Sequence, residues 1–66
     1  MSDTELQIAR QQTSEQKFRI LKQQTLVLGL RREGGRRLEK EVALLESMKD
    51  ELIVMESHLD RLIFNA

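Results

Sequence analysis

Four guanidiniums crowd one short stretch of this 66-residue chain: Arg31 and Arg32 stand before the pair Gly34-Gly35, and Arg36 and Arg37 stand after it. A guanidinium is a planar fork of N–H donors that meets carboxylate or phosphate oxygens two at a time. Beside the free backbone N–H groups that open a helix, four of them can hold an anion. These arginines are therefore the candidate anion-binding residues. The same stretch also reads as a solvated corner. Arg31 and Arg32 suit the negative end of a preceding helix, whereas Arg36 and Arg37 fall at the start of the next, where no Asp, Asn, Ser or Thr stands ready as a cap. Glu39 and Glu41 partly offset the misplaced charge.

Other chemistry is sparse. His58 is the single histidine, and Glu51, Asp50 or the His58 of a second copy could be enlisted beside it. A metal site wants several suitably spaced ligands, so a lone histidine at a helix edge reads as a surface residue. Asp50 and Glu51 are adjacent and diverge on a helix. The chain has no cysteine, no tyrosine, no glycine-rich phosphate loop and no Ser-His-acid arrangement. The expectation is a non-enzymatic protein with no catalytic residues, cofactor or metal. Lack of cysteine fits a cytoplasmic setting, nothing resembles a signal peptide, and no apolar run approaches the roughly 20 residues of a membrane span. Eleven basic and eleven acidic side chains cancel, which removes the bulk positive field of a nucleic-acid binder and leaves only a local basic tip.

The elements that must position these groups are helical. No proline, two aromatics and abundant Leu, Glu, Arg, Gln and Lys favour helix over strand. Gly34-Gly35 is the one strong interruption. The reading is all-α: a two-helix antiparallel hairpin in a single domain, with helices over residues 4–33 and 37–64 about a turn at 34–35. Ser2-x-x-Glu5 offers a capping box for the first helix; a competing start at Thr13, boxed with Gln16, leaves residues 7–16 loose.

The second arm carries the clearest pattern. Leu38, Val42, Leu45, Met48, Leu52, Met55, Leu59 and Leu62 recur at steps of three and four, as in coiled-coil packing. Leu44, Ile53, Ile63 and Phe64 widen the stripe. In the first arm Phe18, Leu21, Thr25 and Leu28 form a short seam expected to oppose it, while Ile20 and Val27 fall nearly opposite; a helix apolar on several sides is buried on several sides. Antiparallel pairing sets Leu59 and Leu62 against Arg10 and Gln7; Leu6, Ile8 and Ala9 give some cover there, yet not enough for Leu59, Leu62, Ile63 and Phe64, so the open end of the hairpin is underfilled. Gln11, Ser14 and Thr25 are the expected register-setting polar residues.

Small domains without disulfides or metals need unusually regular packing or oligomerisation. The expectation is thus a homodimer forming a four-helix bundle, with Phe18, Leu21, Leu28, Leu38, Val42, Leu45, Met48, Leu52, Met55, Leu59 and Leu62 as the self-association residues. A larger protein is the other candidate partner, and a nucleic acid at the arginine tip is the alternative function.

Residues 21 to 62 resemble a loose group of short, mostly uncharacterised bacterial helical-hairpin proteins. The matching features are Leu30-x-x-x-Gly34, the double leucine Leu44-Leu45 and His58-x-x-Arg61-Leu62. Members of that group tend to place a small polar or acidic residue after the turn glycine, where this chain has Gly35-Arg36-Arg37. The resemblance implies a hairpin in a bacterial cytosol and brings no activity, cofactor or mechanism.

Overall fold

The computed structural model describes residues 3–65. Two helices account for nearly all of them: α1 spans Asp3–Glu33 and α2 spans Arg36–Phe64. At 1.5 Å per residue each rod is roughly 45 Å long, and the longest dimension of the molecule is 49 Å, so the rods lie side by side as a hairpin. The expected capping serine, Ser2, lies outside the described residues. Thr13 does not start a helix. It sits within α1, where its hydroxyl donates to the Ala9 carbonyl oxygen at 2.8 Å.

The corner works through its two glycines. Gly34 and Gly35 have φ of 74° and 103°, a region that costs little without a Cβ. The Gly34 N–H donates to the Leu30 carbonyl at 2.8 Å and closes α1. Gly35 then stands at the N-cap of α2 with no side-chain bond to the first turn.

The seam of α1 differs from the expected one. The residues buried along it are Ala9, Thr13, Gln16, Ile20, Gln23, Val27 and Leu30, an unbroken run of alternating four- and three-residue steps. Phe18, Leu21 and Leu28 point outward instead. The reason lies in how each stripe continues toward the open end of the hairpin. Extended backward, the Phe18 stripe runs through Ser14, Gln11 and Gln7, whereas the Ile20 stripe runs through Gln16, Thr13, Ala9 and Leu6. Only the second offers small or apolar cover to Leu59 and Leu62, and it also places Ile20 and Val27 in the core with Leu45.

The expected seam of α2 is where the pattern put it. Leu45 and Leu62 are buried, and Leu38, Val42, Met48, Leu52, Met55 and Leu59 are half-buried. At the open end Leu6 is half-buried and Ala9 buried, so Leu59 and Leu62 are covered, while Ile8, Ile63 and Phe64 stay exposed, the last of them at 87%.

Candidate interaction surface

Polar groups inside the hairpin are paired. The Gln23 side-chain amide donates to the Glu41 carbonyl oxygen at 2.8 Å and to its carboxylate Oε2 at 2.6 Å. One heptad away, the Gln16 amide donates to the Met48 carbonyl oxygen at 2.8 Å and reaches Glu51 Oε2 at 3.4 Å. These two cross-links, with Thr13, replace Gln11, Ser14 and Thr25 as the polar members of the seam; the latter three are exposed. Among the described residues no buried side-chain polar atom lacks a partner. Satisfied in this way, a buried amide avoids the roughly 1–3 kcal/mol cost of an orphaned donor. Sequence reasoning missed Gln16, Gln23 and Glu41; the available signal was that the line of Ile20 and Val27 continues to Ala9 and Leu6, whereas that of Phe18 continues to Gln11 and Gln7.

The outside of the molecule shows the reverse. Phe18 is 59% exposed and Leu28 62%, and Leu21, Ile53 and Val54 are similarly open, while Gln16 retains only 2% of its surface. Phe18, Leu21, Thr25 and Leu28 form a second stripe on the back of α1, with the Lys22 ammonium 4.7 Å from the centre of the Phe18 ring. The chain exposes 5343 Å², more than the ~4,300 Å² of a compact globule of this mass, as its rod shape of 49 × 14 × 11 Å requires.

Charge is divided between the two rods. Over its full length α1 carries six basic and four acidic side chains, and α2 five basic and seven acidic, with Asp3, Glu5 and Glu33 at or near the ends of α1 and Arg36 and Arg37 at the start of α2. On one flank the rods leave a shallow groove lined by Gln24, Val27, Leu28 and Arg31 of α1 and by Leu45 and Lys49 of α2. Residues seven apart share a line along a helix, so Arg10 and Lys17 lie on the line of Arg31. Leu21 lies on that of Leu28, and Glu56 and Ile63 on that of Lys49.

The tip arginines, Arg31, Arg32, Arg36 and Arg37, are all exposed, around a first turn of α2 that contains Glu39. The hairpin brings them to one end and leaves them in solvent. His58 is exposed on α2, as are Asp50 and Glu51. Among the described residues no three potential metal ligands converge, and no helix is long and apolar enough to cross a membrane. The arrangement offers surfaces for docking. No family model, no curated protein and no solved structure matches this chain.

Proposed function

We propose that this protein is a non-enzymatic interaction module whose working unit is a dimer of hairpins, packed as four helices. The observation that carries this reading is the inversion of α1: a glutamine is its most deeply buried large side chain, while Phe18, Leu21 and Leu28 stand in water. Burying each of those three is worth roughly 1.5–3 kcal/mol, a gain that the lone hairpin leaves unused. In this reading the half-buried leucines and methionines of α2 hold the hairpin, and the outward apolar residues of both rods hold the pair. The arginine tip ranks behind as a working site, because formal net charge is +0 and nucleic-acid binding is driven by positive charge.

Sedimentation equilibrium from sub-micromolar to tens of micromolar concentration tests the proposal. The expected result is a species of twice the chain mass whose melting temperature rises with concentration. A helical, cooperatively melting monomer throughout that range would overturn it and would assign the outer face to a different protein.

A further inference from the structure

The dimer just proposed can form through several faces, and the distribution of charge selects one. We infer that two copies join through the groove flank, each α1 lying along the α2 of the other copy. The inference rests on the dimeric reading and specifies its geometry.

On this flank α1 presents Leu21 and Leu28 among Arg10, Lys17 and Arg31, all exposed. The α2 side presents Ile53 and Ile63 among Glu46, Glu56 and Asp60, also exposed; Lys49 is its one cation. Laying α1 on the α1 of a second copy brings cations against cations, which costs free energy. Laying α1 on α2 brings cations to carboxylates along both rods at once, with the apolar residues between them. The surface is therefore self-complementary, as an isologous two-fold interface requires.

Symmetry then fixes orientation. For α1 of each copy to lie on α2 of the other, the two-fold axis must run parallel to the helices, so both Gly34-Gly35 corners fall at the same end. The tip arginines of the two copies become neighbours there. They remain in solvent, where salt screens their repulsion, while the charges along the rods are brought close to partners.

Charge exchange tests the geometry. One variant carries Arg10→Glu and Lys17→Glu, the other Glu46→Lys and Glu56→Lys; all four positions are exposed, and circular dichroism checks that both remain helical. Each alone is expected to dimerise at least tenfold more weakly than the natural chain, and an equimolar mixture to recover a one-to-one heterodimer. If the natural chain is a dimer but the Glu46→Lys, Glu56→Lys variant associates as tightly as it does, the pairing of α1 with α2 is wrong and self-association survives. If the natural chain is a monomer, both fall.

Discussion

Two stripes run along opposite faces of α1 and have exchanged the polarity that their positions would suggest. The inner one, from Ala9 to Leu30, contains Thr13, Gln16 and Gln23 and is buried; the outer one contains Phe18, Leu21 and Leu28 and is open to water. The difference teaches that the cover each stripe offers at the open end, Leu6 and Ala9 against Gln7 and Gln11, weighs more than the apolar residues near its middle in setting the face of α1 that meets α2. An inner glutamine is tolerable because a backbone carbonyl or a carboxylate on α2 receives its amide. An outer phenylalanine has no such remedy within one hairpin.

The largest test breaks the inner contact outright. Leu45→Asp places a carboxylate in the cluster with Ile20 and Val27, at a cost expected to exceed about 4 kcal/mol. That is comparable with the whole stability of a chain this small, so the far-ultraviolet helical signal should collapse at room temperature.

The glutamines sharpen the comparison at an intermediate scale. Gln16→Leu is expected to stabilise by about 1 kcal/mol, since leucine burial gains roughly 2 and a net hydrogen bond of roughly 1 is lost. Its acceptors are left safe: the Met48 carbonyl keeps its place within α2, and Glu51 is exposed. Gln23→Leu should bring no gain, because the half-buried Glu41 carboxylate loses a bond worth about 1.5–3 kcal/mol. Denaturant midpoints of the two variants, compared with the natural chain, check both; equal shifts would show that the two cross-links are equivalent.

The last effect, no larger than that of Gln16→Leu, comes from Gly29, helical and exposed, with open space where a Cβ would project. Gly29→Ala is expected to raise stability by about 1 kcal/mol through helix propensity alone, read as a higher melting temperature at unchanged sedimentation. A weakened dimer would place Gly29 inside the interface and move the contact off the groove flank.

Much of this was legible in the residues. The absence of proline and the Gly34-Gly35 pair marked two helices and a corner, and the leucines of α2 at steps of three and four marked its inner face. The seam of α1 was misread because Phe18, Leu21 and Leu28 outweigh Gln16 and Gln23 on any hydropathy scale, and because side-chain amides look like solvent-facing groups until their acceptors are known. Those acceptors lie 18 and 32 residues away in the chain, beyond the reach of local pattern. The exposed apolar stripe was thus visible as apolar, but its outward direction was not.

The tight corner also governs the order in which the molecule assembles. The Gln23–Glu41 link closes 18 residues of chain and the Gln16–Met48 link 32. Closing a longer loop costs more entropy, if only logarithmically, and the shorter link also brings the next pair of positions within reach. Loop entropy therefore favours closing the hairpin outward from its bend, by about 0.5 kcal/mol between the two links.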